Sequence, residues 1–246
     1  MDPTADAIAR LLTARRSGVA QPAPLLADAA AAYAVQDAVA ASLGWFGQAF
    51  PQHWKSGGAA RTAVLTHAPL PPAGIFTSPA DLSHLPARWR GIEAEIALRL
   101  GEPVDAVRAA NDGPVTIDAM CVAIEIVESR WTAGMDAPAL AKLADLQSHG
   151  ALVLGDWVPF AARDWSAQRL QVQMGETVRT FEGSHALGGP TWGLRAWLRH
   201  ATRQGAVVPA GTVVTTGTWC GLLAATDGQT VRVIFDGLGE ASARLS

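Results

Sequence analysis

Three glutamates carry the chemical signal of this chain. Residues 92–100 read IEAEIALRL, in which Ile92, Ala94, Ile96, Leu98 and Leu100 alternate with Glu93, Glu95, Ala97 and Arg99. Period-two alternation marks a strand with one buried face, and it sets Glu93 and Glu95 on the same side, roughly 6–7 Å apart along the strand. The plain explanation is a solvated face. Two features argue against it. The acidic face continues with Ala97, which is small and does not solubilise, and a third acid, Glu125, interrupts the apolar run CVAIEIV. A carboxylate in an apolar strand is costly unless it is paired or coordinates a cation. Arg130 is the candidate for a simple pair. Three carboxylates with no cysteine and no paired histidines point instead to a hard divalent ion, Mg2+ or Mn2+, which takes oxygen ligands and leaves positions for water or substrate. Zinc is disfavoured, because the six histidines show no HxH or HExxH spacing.

A lysine joins the acids. Of 19 basic residues only Lys55 and Lys142 are lysine, so Lys55 within HWKSGG stands out from a surface built with arginine. An exposed loop lysine is the ordinary alternative. Near a metal, a lysine binds a substrate carboxylate, or shuttles a proton once burial and the cation lower its pKa. Gln52, His53 and Trp54, just before it, are candidates to line a pocket.

These residues need elements to hold them. Residues 4–17 and 27–43 have helical patterns. Residues 44–91, rich in Gly, Pro and Trp, suggest loops and short strands, followed by the strand at 92–100 and a short helix near 104–110. Val115–Val122 suits helix or strand, and Cys121–Val127 suits a buried strand. LAKLADLQSHG reads as the close of a helix with Gly150 as its C-cap, and 151–155 as a short buried strand. Beyond it strands and turns alternate, interrupted by one helix near 191–204. This is not βαβ alternation and no GxGxxG opens a helix, so a nucleotide-binding Rossmann domain is disfavoured.

Composition narrows the setting. The chain has 246 residues, 49% of them hydrophobic, enough for a sizeable core, and a net charge of −3 with no basic stripe, which disfavours nucleic acid. Cys121 and Cys220 are far apart and outside any CxxC spacing, which suggests a reducing, cytoplasmic setting. The N-terminal stretch reads as an amphipathic helix and not as a signal peptide, and no run of about 18 apolar residues marks a membrane span.

In combination the motifs are recognisable. YAVQDAV (33–39), WKSGG (54–58), IEAEIAL (92–98), AIEIVESRW (123–131), LADLQSHGALVLG (143–155), LGGPTWGLRAWL (187–198) and FDGLG (235–239) resemble the 2-keto-4-pentenoate hydratase / 4-oxalocrotonate decarboxylase branch of the fumarylacetoacetate hydrolase superfamily. The resemblance runs from about Tyr33 to Gly239. It implies an α+β fold, a mixed β-roll body with N-terminal helices, divided as a helical segment over 1–50 and a catalytic domain over 51–246. It implies that Glu93, Glu95 and Glu125 bind Mg2+ or Mn2+, with Glu128 an alternative third ligand. Lys55 and Asp145 are then the candidate catalytic residues, and His53, His149, Gly217 and Thr218 the candidate substrate contacts. His149 could equally cap a helix end, and Gly217–Thr218 could equally be a plain hairpin turn. Two departures stand out: Ser56 follows the lysine where family members often have isoleucine, and no acid follows soon after Gly74.

The activity implied is hydration of a 2-hydroxy-2,4-dienoate to a 4-hydroxy-2-oxo acid in aromatic catabolism. The alternatives are decarboxylation of a 4-oxalocrotonate-type acid, hydrolysis of an acylpyruvate C–C bond, or a non-catalytic partner subunit. A small-molecule 2-oxo or 2-hydroxydienoic acid is the expected partner, and a homo-oligomer the expected assembly.

Overall fold

A computed structural model describes residues 2–85, 90–111 and 113–245. It opens with two helices whose ends are written in the local sequence. Helix α1 (Pro3–Ser17) starts where Asp2 accepts hydrogen bonds from the Thr4 and Ala5 amides, with Pro3 in the first turn, and stops at Gly18 in the left-handed region. Helix α2 (Ala29–Leu43) begins at the Asp28 cap and ends at Gly44. Their small faces, Ala7, Leu11, Ala32, Val35 and Val39, pack in one cluster with Trp131, Ala141 and Leu143 further along the chain.

The rest is strand-rich. In chain order come β1 (His53–Gly57), β2 (Thr66–Pro69), β3 (Ile75–Thr77), β4 (Ala80–Leu82), β5 (Arg90–Leu100), α3 (Ala106–Ala110), β6 (Ile117–Val127), α4 (Ala139–Ala144), β7 (His149–Leu154) and β8 (Val158–Pro159). Then follow β9 (Arg169–Met174), β10 (Thr177–Glu182), α5 (Leu194–Ala201), β11 (Val213–Thr215), β12 (Leu223–Ala225), β13 (Thr230–Phe235) and β14 (Gly239–Leu245). Among the described residues these form a nine-stranded sheet ordered β2-β1-β11-β5-β6-β7-β3, with β12 also on β5 and β8 on β6, and a five-stranded sheet ordered β10-β9-β13-β14-β4. The main core lies between the two sheets, where Ile92, Ile96 and Leu98 of β5 and Val122 and Ile124 of β6 meet Leu170, Val172, Val231 and Val233. This is the α+β body with N-terminal helices that the motifs imply.

The long antiparallel pair β5–β6 is the centre of the larger sheet, and its register decides the site. Glu93 pairs with Glu125, Glu95 with Ala123 and Ala97 with Cys121. Because side chains alternate, one face of β5 goes to the core and the other carries Glu93, Glu95 and Ala97. Below the acids that second face is apolar: Ala97, Cys121 and Ala123 join Leu70, Leu152 and Val213 in a small cluster of their own. The open question at 115–122 resolves as strand, since β6 already runs from Ile117.

One boundary differs from the sequence expectation. Gly150 is not a helix C-cap. Helix α4 ends at Asp145, three residues turn over, and Gly150 lies inside β7. The reason is electrostatic. Arg130 donates to Asp145 from its backbone N (2.8 Å) and from Nε (2.6 Å), and Arg15 donates from Nη2 (3.1 Å). These bonds pin Asp145 at the rim of the sheet, and the chain must then reverse within one turn to enter β7.

Candidate active site

Glu93 and Glu95 project from β5, and Glu125 from β6 directly across the ladder. Their carboxylate oxygens come within 4.8 Å of one another, and Glu95 and Glu125 are buried while Glu93 is half-buried. Lys55, on β1, reaches across β11 to the same place. Its Nζ donates to Glu125 Oε1 at 2.5 Å, and the Gln147 carbonyl lies 3.4 Å from it. Arg130, the alternative partner for Glu125, is instead committed to Asp145.

The electrostatics follow from burial. Glu93 is pushed up to about 7 and Glu95 to about 8, first by desolvation and then by the charge of Glu125. Desolvation would raise Glu125 too, but Lys55 and His149 outweigh it and hold Glu125 below the ordinary carboxylate value. Lys55 is opposed by its own burial, yet the three carboxylates keep it above the ordinary lysine value, so it stands as an ammonium.

Of the cradle's fully buried oxygens, one is left without a donor. Glu125 Oε1 accepts from both Lys55 and His149 Nδ1 (3.2 Å), while Oε2 is buried with no partner. Glu95 Oε2 accepts from the Gly217 amide at 3.1 Å. Gly217 sits at φ +106°, a conformation in which a side chain would be strained, and that angle lets its amide face the carboxylate. A buried carboxylate oxygen left unpaired beside two more carboxylates is a cradle for a cation. An all-oxygen set of this kind fits Mg2+ or Mn2+ better than zinc.

Lys55, Glu93, Glu95, Gly217 and Thr218 line a cavity of about 310 Å³, together with Ser56, Thr66, Gln147, His185 and Leu187 among others. Five of the nine residues expected at the site therefore share one cavity, and Glu125 sits beneath it. The other three do not line it. His53 shares the strand of Lys55 but stays outside. His149 lies behind Glu125, held neutral by its burial, with its Nε2 toward a second cavity bordered by Arg15, Trp45 and Arg130. Asp145 is wholly buried between Arg130 and Arg15. Glu128 lies beyond the end of β6 and borders that second cavity, not the acid cradle.

Gln147, Thr66 and His185 are among the lining residues that the sequence did not single out. Gln147 belongs to a turn in which Leu146, Gln147 and Ser148 all have positive φ (53°, 54° and 60°) with no glycine among them. Such conformations cost roughly 1–2 kcal/mol each. The strained turn aims the Gln147 carbonyl at Lys55, while its side-chain amide bonds the Thr66 hydroxyl. His185 donates from Nε2 to the Thr216 carbonyl (2.9 Å) and accepts at Nδ1 from the amides of Leu187 and Gly189 (both 3.2 Å), which makes the 185–189 turn rigid. Ser56 is held by His67 Nδ1 at 3.0 Å. Lone polar residues in turns carry no periodic signal; only the polar stretch after Asp145 pointed to this region.

The rolled α+β body thus sets beside a buried lysine three glutamates whose oxygens are close enough to hold a cation. A family model for the fumarylacetoacetate (FAA) hydrolase C-terminal region matches residues 45–246, and the chain belongs to that family. A search of curated proteins found no match. Among solved structures, 4-oxalocrotonate decarboxylase from Pseudomonas putida G7 complexed with magnesium and adipate is similar over 99% of this chain and 97% of that one, with TM-score 0.82 and 17% identity. A structure of that enzyme complexed with calcium and acetate is similar with TM-score 0.80 and 18% identity, over the same shares of the two chains. The 5-carboxymethyl-2-hydroxymuconate delta-isomerase from Mycobacterium smegmatis is similar over 79% of this chain and 78% of that one, with TM-score 0.55 and 21% identity. At these identities the likeness is one of fold.

Proposed function

We propose that this chain is a metal-dependent lyase that hydrates a 2-hydroxy-2,4-dienoate of the 2-oxo-4-pentenoate type to a 4-hydroxy-2-oxo acid. The observation that carries the reading is Glu125 Oε2, buried and without a donor beside Glu93 and Glu95. Glu93, Glu95 and Glu125 would hold Mg2+ or Mn2+, and the bound ion supplies Lewis-acid stabilisation of the enolate charge that develops on a 2-oxo acid.

The chain's own residues do the rest. Lys55, an ammonium facing the cavity, offsets the substrate carboxylate and donates a proton from Nζ to C5 of the dienol as the enol O–H is lost. Water then adds across C3 and C4, hydroxyl to C4 and proton to C3, so one water is consumed and nothing leaves. Gln147 and Thr66 offer neutral hydrogen-bonding groups to water and the 2-oxygen. Gly217 orients Glu95, and the rigid 185–189 turn limits bulk water on its wall of the cavity.

A second reading, decarboxylation of a 4-oxalocrotonate-type acid, is supported by the match over nearly the whole chain to a decarboxylase of that kind. There the electron pair left as CO2 departs makes a dienolate, and the Lys55 proton would go to that dienolate to give the 2-hydroxydienoate.

The test is a spectrophotometric assay with 2-hydroxypenta-2,4-dienoate, 4-oxalocrotonate, an acylpyruvate and oxaloacetate, each with Mg2+, Mn2+ or EDTA. Metal-dependent loss of the dienoate, abolished by Glu95→Ala, is the expected result. CO2 release from oxalocrotonate alone would move the assignment to the decarboxylase. Metal binding without turnover of any substrate would favour a partner subunit.

A further inference from the structure

We propose that His185 is a positioning residue that ties metal loading to the order of the cavity wall, one ring nitrogen serving each. The inference rests on the reading of Glu93, Glu95 and Glu125 as a cation cradle. It holds whichever acid the cavity takes.

The Nε2 side of the ring leads to the cradle. Nε2 donates to the Thr216 carbonyl at 2.9 Å, and the next amide, that of Gly217, donates to Glu95 Oε2 at 3.1 Å. That carbonyl and that N–H belong to one peptide unit. A planar trans peptide cannot turn its N–H without turning its carbonyl, so His185 at one end and Glu95 at the other set the same plane. The ring lies close beside it, since a Cβ on Gly217 would come 3.6 Å from Nε2. Thr216 is also tied to β5 by its hydroxyl, which donates to the Ile96 carbonyl at 3.0 Å.

The Nδ1 side leads to the wall. Nδ1 accepts from the amides of Leu187 and Gly189, and the Gly188 amide closes on the His185 carbonyl at 2.8 Å. Ala186 and Leu187 line the cavity. An Nδ1 that accepts from two amides leaves the ring proton on Nε2, the tautomer that the Thr216 carbonyl needs. Burial pushes His185 below its ordinary value, so the ring is neutral. With both nitrogens committed, His185 has no site left for proton exchange with a substrate. It acts through the groups it holds.

The ring itself is held. It packs on Trp219 with centroids 5.0 Å apart at 53°, and the Trp219 amide donates to the Ala94 carbonyl (2.8 Å), between the two glutamates of β5. Fixing Glu95 on an ion therefore fixes the Thr216–Gly217 peptide. The peptide fixes His185, and the ring carries two amides of the wall. The coupling is reciprocal: an ordered wall favours the Glu95 orientation that the ion needs.

The experiment measures Mg2+ affinity by calorimetry and amide hydrogen exchange at Leu187 and Gly189, with and without Mg2+, in wild type, His185→Asn and His185→Gln. In wild type, Mg2+ should slow exchange at both amides by more than it slows the amides of β9. His185→Asn keeps an acceptor at the Nδ1 position and has nothing at Nε2. It should keep slow exchange at the two amides, lose the response to Mg2+, and bind Mg2+ about tenfold more weakly. His185→Gln reaches the Nε2 position alone. It should bind Mg2+ within about threefold of wild type and exchange fast at both amides with or without the ion. Asn and Gln variants that behave alike, or wild-type wall amides that ignore bound Mg2+, would overturn the proposal and leave the cradle standing. A wild type that binds no Mg2+ would overturn the cation reading of the cradle and this proposal with it.

Discussion

Glu93 and Glu125 stand directly opposite each other across the β5–β6 ladder. Like charges in that position destabilise a sheet, and only Glu125 has the Lys55 ammonium in hydrogen-bond contact. Glu93→Gln should therefore make the metal-free protein more stable, by roughly 0.5–1 kcal/mol, while weakening Mg2+ binding at least about tenfold. Thermal unfolding in EDTA and Mg2+ calorimetry measure the two effects. A variant that is neither more stable without metal nor weaker for Mg2+ would remove the cradle from the argument.

The same repulsion has a pH signature. Glu93 at about 7 and Glu95 at about 8 lie above the ordinary 4.5, raised by burial and by neighbouring acid. The folded, metal-free protein thus holds more protons than the unfolded chain between those values. The stability that these groups contribute is present below pH 4.5 and is lost as pH rises through 7 and 8. Buried His67 and His200, depressed to about 4 and about 3, act oppositely, but only below about 6.5. Unfolding in EDTA should accordingly show stability falling from pH 6.5 to 8.5, and Mg2+ should stabilise more at the upper end, with proton release on binding. Metal-free stability that rises over this range would contradict the assignment.

His149 donates to Glu125 from behind the cavity, so its effect should be on the metal. His149→Ala should lower Mg2+ affinity about 10–100-fold, the usual range for groups that orient a ligand. Were it a substrate contact, one of the two roles expected for it beside a helix cap, KM would rise with metal affinity unchanged.

Asp145 is the common anchor of Arg130 and Arg15, and its removal leaves buried arginine charge without a counter-ion. Asp145→Asn should destabilise by about 3–5 kcal/mol, read as a large drop in Tm. The fraction that remains folded should keep its kcat. Loss of kcat at unchanged Tm would restore a direct catalytic role.

Gln147 sits mid-way through a left-handed turn. Gln147→Gly relieves that strain while removing the amide that meets Thr66. The variant should match or exceed the wild-type Tm and lose turnover, since glycine adopts positive φ without penalty. Retained turnover would show that the Gln147 side chain plays no part in the reaction.

Local signals located much of this molecule. The helix starts at Asp2 and Asp28 and the stops at Gly18 and Gly44 are short-range chemistry, and both N-terminal helices follow from it. The alternation of IEAEIALRL suffices for β5 and for the shared face of Glu93 and Glu95. Glu125 was conspicuous because an acid in an apolar strand needs a partner, and Lys55 because this chain makes so little use of lysine. Local pattern failed at Gly150, where the bonds of Asp145 to two distant arginines, and not a glycine, end the helix.

What the sequence determined by itself was the set of chemical groups and the strands that carry them, since periodicity and residue type act within a few residues. What only the tertiary structure decided was who faces whom. A one-residue slip in the β5–β6 register would turn Glu125 to the other face, away from Glu93. The path of β1 beside β11 brings Lys55 to Glu125 across 70 residues of chain. The bonds of Asp145, made from 15 and 130 residues away, put His149 behind the acids instead of in front of them. These are pairings between distant segments, fixed by packing and buried charge, and no window along the chain contains them.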